Sequence, residues 1–211
     1  MKILITAGPT REAIDMVRFI TNRSSGKMGY ALARAAKDNG WDTVLISGPV
    51  NLPPPEGVDC IMVESAKDMA TAVKKEAPAA DVIIMAAAVA DYRPKAVFDG
   101  KLKKQEGGLF LELERTEDIL LYLGEHKRPG QTLVGFAAEA TEVEANAVGK
   151  LRKKNLDWIA ANDIGAAGCG FAVNTNQVTL YSATGDRIIL PLADKFTVAN
   201  NILDIIVKGK R

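Results

Sequence analysis

The stretch Ile3-Leu4-Ile5-Thr6, with the long segment Gly8 to Gly29 that follows it, GPTREAIDMVRFITNRSSGKMG, decides how this chain is read. The apolar tetrad has the composition of a strand buried on both faces, and Met28, Ala31, Leu32 and Ala35 recur at one-face helical spacing before Gly40. The connection between them is about three times longer than a usual strand-to-helix turn. It gathers glycines, hydroxyls, an amide and cations at a helix start, where backbone amides are open to an anion.

Working outward, the same alternation repeats. Thr43 to Ser47, Val82 to Met85, Thr132 to Phe136 and Trp158 to Ala161 read as buried strands. Between them, Ser65-Ala66-Lys67-Asp68 forms a capping-box pattern ahead of a helix bearing Met69 and Val73, and Thr141-Glu142-Val143-Glu144 opens another in the same way. Asp194 is placed to cap a last helix bearing Phe196, Ala199, Leu203 and Ile206. Strand and helix in alternation predict an α/β fold: a doubly wound, mostly parallel sheet with helices on both faces. A small antiparallel addition is expected where Leu109 to Leu113 follows two glycines and where Gln177 to Ser182 faces Arg187 to Leu190. Asn51 to Gly57 is a rigid, proline-rich connection.

At 211 residues, 47% hydrophobic, the chain is long enough for one full core. With 27 basic against 26 acidic residues, no global field favours nucleic acid or an anionic membrane surface, so any anion site has to be local. Cys60 and Cys169 are isolated, and neither a signal peptide nor a long apolar run is present, which gives a cytoplasmic expectation. His126 is the only histidine, so a multi-histidine metal site is excluded. Its charged neighbours predict a solvated helix end.

The generic cofactor readings fail on their own marks. Gly8-Pro9-Thr10 is not a GxGxxG turn, no acidic residue ends the second strand, and no tyrosine is followed four residues later by a lysine. Ser24-Ser25-Gly26-Lys27 lacks the spacing of a P-loop. What remains is four constellations. Ser24 or Ser25 suits the N-cap of the helix beginning near Lys27, a position fit for phosphate. If the approach to that helix is itself helical, Arg18 and Asn22 share a face and together orient a carboxylate or acyl group, although Arg18 is equally suited to pair with Asp15 or Glu12. Ala86-Ala87-Ala88-Val89-Ala90-Asp91, at a strand's carboxyl end, lets a ligand approach the backbone; Asp91 suits a nucleotide contact or a simple turn cap. Gly100-Lys101-Leu102-Lys103-Lys104 is a glycine-bounded cationic segment, read as a flap spanning about 95–108, and Lys150 and Lys154 lie one helical turn apart. A solvated surface is the competing reading of both.

Taken in order, GPTREAID, VRFITNRSSGKMGYALA, AAAVADYRP, KLKK, VGFAAE and KNLDWIAAND resemble the phosphopantothenate-cysteine ligase family of coenzyme A biosynthesis, over nearly the whole chain. The resemblance implies a single Rossmann-like ligase domain over 1–211, a homodimer, and amide formation between 4'-phosphopantothenate and cysteine. In that chemistry the substrate carboxylate attacks the nucleotide α-phosphate to form an acyl-nucleotidylate, expelling pyrophosphate on Mg2+, and cysteine's amine then displaces the nucleotide monophosphate. No enzyme nucleophile is required. The resemblance makes Asn22 and Lys101 the catalytic positions, and Arg18, Asn22 and Ala88 the phosphopantothenate positions. Ala87, Asp91, Lys101, Phe136, Lys150 and Lys154 become nucleotide contacts, joined by Ser24, Ser25 and Asp118.

The bacterial-type motifs point to CTP, whereas animal relatives use ATP. Many bacterial relatives carry a flavin-dependent decarboxylase half; that half and its flavin are absent here, so the chain is either free-standing or an excised domain. Two departures stand out: Thr116-Glu117-Asp118 replaces a usual Asn-Pro-Asp, adding a charge beside the nucleotide positions, and Met16 replaces a common proline. A nicotinamide-dependent reductase and a non-catalytic nucleotide-binding module are the rival readings.

Overall fold

The computed structural model describes residues 1–104, 106–139, 141–163 and 173–208. Cys169 lies outside them. In chain order the strands and helices are β1 (Lys2–Ala7), β2 (Arg11–Ala13), β3 (Phe19–Thr21), α1 (Lys27–Asp38), β4 (Asp42–Ser47), β5 (Asp59–Met62), α2 (Ala66–Glu76), β6 (Val82–Met85) and β7 (Tyr92–Pro94). There follow β8 (Leu113–Arg115), α3 (Ile119–Glu125), β9 (Thr132–Glu139), α4 (Val143–Lys153), β10 (Trp158–Asp163), β11 (Thr175–Ser182), β12 (Arg187–Asp194) and α5 (Lys195–Lys208).

One eight-stranded sheet organises the molecule, in the order β12-β11-β10-β9-β6-β1-β4-β5. From β5 to β10 the pairings are parallel, and β11 and β12 close one edge in antiparallel fashion. The parallel strands run in the strand order of a Rossmann sheet, with the reversal between β1 and β6. Val- and Ile-rich strands are what such a sheet requires, because both faces are covered. On one face Ile3, Ile5, Leu45 and Ile84 pack with Leu32 of α1 and Ile202 of α5; on the other Leu4, Ile46 and Ile83 pack with Met69 and Val73 of α2 and Leu151 of α4. Each aliphatic side chain taken fully out of water contributes about 1.5–3 kcal/mol before chain entropy is set against it.

Local signals decide several element ends. Ser65 caps α2 as a full capping box with Asp68, and Asp194 accepts the amides of Phe196 and Thr197 at the start of α5. His126 is the exposed C-cap of α3 and stacks on Tyr122. The β11 and β12 hairpin turns through residues 183–186, as the pattern predicts.

Four expectations are corrected. The segment through Arg18 and Asn22 is not helical: β2 and β3 form a small antiparallel hairpin, Arg11 opposite Thr21, so the two residues do not share a helix face. The strand expected at Leu109 to Leu113 pairs only from Leu113 to Arg115, against Tyr92–Pro94; Leu109 and Phe110 are exposed, with no neighbouring strand among the described residues to bury them. Glu142, in the left-handed region at φ 46°, stands at the N-cap of α4 with no side-chain cap bond, so Thr141 does not open a capping box. Gly26, rather than Ser24 or Ser25, is the N-cap of α1; its φ of 75° is one that L side chains rarely adopt.

Candidate active site

Beyond its carboxyl end β6 loses its ladder, and the amides of the alanine run need other acceptors. Two fully buried threonines supply them: Thr6 Oγ1 accepts from Ala87 N at 3.1 Å and Thr10 Oγ1 from Ala90 N at 3.0 Å. The strands' exits are stitched together as well, with Ala88 N donating to Gly8 O at 2.9 Å and Thr10 N to Ala88 O at 3.3 Å. The result is a rigid floor at the carboxyl edge of β1 and β6, where a doubly wound sheet presents its ligand crevice.

Above that floor lies a cavity of about 680 Å3, a size suited to a nucleotide or a drug-sized ligand. Its floor is Ala86 to Asp91, and its walls come from the 22–29 segment on one side and from residues 115–120, Phe136, Lys150 and Lys154 on the other. Among the described residues six cationic side chains line it (Arg23, Lys27, Arg115, Lys150, Lys154 and Lys195) against three carboxylates, Asp91, Glu117 and Asp118. In a chain of net charge +1, the cations are concentrated where an anion would bind.

Asn22, Ser24, Ser25, Ala87, Ala88, Asp91, Asp118, Phe136, Lys150 and Lys154 are thus brought to one cavity from five separate stretches. Asn22 Nδ2 donates to Ala88 O at 2.9 Å, which anchors the amide on the floor. Ser24 Oγ accepts weakly from Gly26 N at 3.4 Å, and α1 begins without a side-chain cap, its first turn directed at the same space. Helix α1 comes so close to β1 that a Cβ on Gly29 would sit 2.5 Å from Ala7 Cβ.

The Thr116-Glu117-Asp118 departure is absorbed locally. Thr116 N donates to Asp91 O at 3.0 Å, and Glu117 pairs with Lys74 at 2.5 Å, which offsets its added charge. Asp118 caps α3 through Leu121 N at 3.0 Å and pairs with Lys154 Nζ at 3.0 Å. Lys154 is the C-cap of α4, just past its last turn, so one carboxylate holds it over the cavity wall.

Arg18 and Lys101 do not line the cavity. Arg18 instead forks onto Asp15 and reaches Leu102 O, the carbonyl of the residue after Lys101. Of the two partners open to Arg18, the chain uses Asp15, while Glu12 is buried and accepts Ala66 N.

Sequence reasoning missed Asn162 and Asn176. Both border the cavity, and the side-chain oxygens of both are buried without a hydrogen-bond partner among the described residues. Unpaired acceptors of this kind cost about 1–3 kcal/mol each. Asn162 is visible in the sequence as the polar end of a buried strand, whereas Asn176 carries no such mark. Among the described residues no group of three His, Cys, Asp or Glu side chains could hold a metal ion, and no helix is long and apolar enough to cross a membrane.

Comparison with known proteins bears on the family and the fold. The family described as the DNA/pantothenate metabolism flavoprotein C-terminal domain matches residues 1–210. The chain is 55% identical over 202 residues to the coenzyme A biosynthesis bifunctional protein CoaBC of Bacillus subtilis, covering 95% of this chain and 50% of that protein. It therefore spans about half the length of the curated relatives it matches. The crystal structure of the C-terminal domain of a CoaBC protein superposes with a TM-score of 0.85 at 50% identity, covering 99% of this chain and 95% of that one. A Cab2 mutant in complex with phosphopantothenate-cysteine shares the fold, with a TM-score of 0.79 at 17% identity, covering 99% of this chain and 85% of that one.

Proposed function

This chain belongs to the DNA/pantothenate metabolism flavoprotein C-terminal domain family, and from that membership together with the cavity we propose that it is a phosphopantothenate-cysteine ligase, working through an acyl-cytidylate formed from CTP. The observation that carries this reading is the cavity itself. An amide fixed at the sheet edge, Asn22 on Ala88 O, faces the cationic wall of Lys150 and Lys154. That pairing suits a carboxylate brought against a nucleotide α-phosphate.

The chemistry asks for positioning and charge stabilisation rather than a nucleophile of the enzyme. Phosphopantothenate enters with its carboxylate toward Asn22 and Ala88 and its contacts extended by Arg18. The nucleotide lies along Ala87, Asp91 and Phe136, with its phosphates toward the start of α1, where Ser24 and Ser25 stand, and toward Lys150, Lys154 and Asp118. The carboxylate oxygen attacks the α-phosphorus, the α–β bridging bond breaks, and pyrophosphate leaves with its charge offset by the lysines. Asn22 then holds the acyl group while cysteine's amine adds to the carbonyl carbon, gives up a proton to solvent, and the nucleotide monophosphate departs with the bonding pair. Lys101 is read as delivering one further cation to the activation step. Magnesium is proposed to travel on the triphosphate, whose oxygens are its natural ligands.

A homodimer is part of the same proposal. Met16, Val17 and Phe19 on the β2 and β3 hairpin, Tyr92 and Leu113 on the β7 and β8 ribbon, and Val97 and Phe98 in the segment after β7 are exposed, and β2 packs on β7. Exposed apolar side chains on two adjoining ribbons suit a second copy of the chain. A separate or fused decarboxylase half, carrying its own flavin, is proposed as the upstream partner, and the cytoplasm as the setting.

The test is incubation with phosphopantothenate, cysteine and Mg2+, with CTP and ATP supplied separately, following pyrophosphate. Release with CTP well above that with ATP is expected. If neither nucleotide yields pyrophosphate, the ligase reading is wrong, and NADPH binding without CTP binding would favour a reductase.

A further inference from the structure

Asp15 is buried at 4% exposure in the turn between β2 and β3, yet it is an acid with no place in the proposed chemistry. Its two oxygens divide their work. Oδ1 accepts Val17 N at 2.8 Å and Arg18 N at 2.7 Å, closing the turn on itself. Oδ2 accepts Arg18 Nε at 3.0 Å, Arg18 Nη2 at 2.5 Å and, from 87 residues away, Leu102 N at 3.0 Å. Arg18 Nη2 completes the ring by donating to Leu102 O at 2.7 Å. Beside it, Met16 N donates to Gly100 O at 3.3 Å, a bond that a proline at position 16 has no N–H to make. Lys101 therefore sits on a backbone gripped on both sides, at Gly100 and at Leu102, while its own side chain stays exposed.

We propose that Asp15 is a positioning residue: one carboxylate aims the Arg18 guanidinium and fixes the backbone that carries Lys101, so that the acyl-substrate arginine and the activating lysine are set together. This rests on the ligase reading for the roles of Arg18 and Lys101. The geometry supports it in two ways. With Nε and Nη2 engaged on Asp15 and Leu102, the fork cannot rotate without breaking those bonds, which under the ligase reading leaves Nη1 for the substrate. Because Leu102 shares both partners, displacing the 100–102 segment and swinging Arg18 are one event rather than two. The Arg18 side chain, opposed by burial and aided by the amides of Val17, Leu102 and Arg18, holds the Asp15 carboxyl below the usual carboxylate range, so the clasp is charged throughout neutral pH.

Two measurements on the 211-residue chain test this, one of them independent of catalysis. In Asp15→Asn the group facing three donors either becomes a donor itself or, if turned over, abandons Val17 and Arg18 N. Hydrogen exchange at the Leu102 amide is expected to speed up about tenfold, as the loss of one charge-assisted bond implies; Arg18→Lys, which keeps the charge but loses the fork, should do the same and serves if Asp15→Asn does not fold. In kinetics, Asp15→Asn should raise KM for phosphopantothenate about tenfold and slow pyrophosphate release. Adding Lys101→Gln to it should cost much less than Lys101→Gln costs in the wild type. Unchanged exchange at Leu102 in both variants would overturn the clasp. Faster exchange with independent, multiplying effects of Asp15→Asn and Lys101→Gln would reduce Asp15 to a structural acid and overturn the proposal. Wild-type protein that releases no pyrophosphate would instead overturn the ligase reading, with the exchange result still deciding the clasp.

Discussion

Asn22 and Lys154 are held by opposite means, and that difference makes their contributions separable. Asn22 is fixed through a neutral bond to a backbone carbonyl, so Asn22→Asp places a carboxylate oxygen against Ala88 O. Under the proposed chemistry this variant is expected to release pyrophosphate about once per site and make little amide, with acyl-nucleotidylate recoverable by acid quench; normal amide formation would remove Asn22 from the mechanism. Lys154 is held by a charge, Asp118. Asp118→Asn keeps a cap on α3 but lets Lys154 swing, and a several-fold rise in KM for the nucleotide, with KM for phosphopantothenate unmoved, is the expected outcome. Asp15 responds to pH with a definite sign. Its folded-state pKa lies below the unfolded value, so its contribution is present above the ordinary carboxylate pKa of about 4 and is lost as pH falls below it. Leu102 amide protection, corrected for intrinsic exchange, should accordingly be level from pH 8 to about pH 5 and collapse only in stronger acid.

At the scale of elements, the strand and helix alternation was legible because periodicity reports burial. Ile3 to Thr6, Val82 to Met85 and Trp158 to Ala161 are strands because nothing else buries both faces of such runs. The capping box at Ser65 was legible for a local reason, its two reciprocal bonds; Ser65→Ala is expected to cost about 1 kcal/mol by denaturant titration. What stayed hidden depended on distant partners. The hairpin of β2 and β3 replaces an expected helical approach because Asp15 and Arg18 close a turn and Arg11 N finds Glu64 O, a residue far along the chain. Gly26 displaced the serines as N-cap for a similar reason: the chain must turn through positive φ beneath Val50, whose Cγ1 leaves 2.8 Å to a Cβ built there. Gly29 faces a tighter wall, and Gly29→Ala is expected to destabilise by about 1–3 kcal/mol while blunting nucleotide binding, since α1 would have to move off β1.

Across the whole molecule, the site is built where the strand order reverses, between β1 and β6, and the segments that leave the carboxyl ends of these two strands contribute to it. The ten cavity residues anticipated from sequence come from stretches separated by more than a hundred positions, and only a doubly wound sheet of this order brings them together. Asn176 escaped notice because its part depends on β11 turning back antiparallel beside β10, which no local pattern announces. The exposed apolar ribbons should make association concentration-dependent, and replacing Phe19 and Val97 by Lys is expected to shift sedimentation toward a single copy without loss of fold. The most direct measurement is a rapid-quench experiment with phosphopantothenate, CTP and Mg2+ but no cysteine. A burst of pyrophosphate close to one per site, matched by acyl-cytidylate that turns into amide when cysteine is added, is the outcome expected of this cavity. Absence of a burst in a folded protein that binds both substrates would mean that the carboxylate is not activated here, and that the residues around Asn22 serve another reaction.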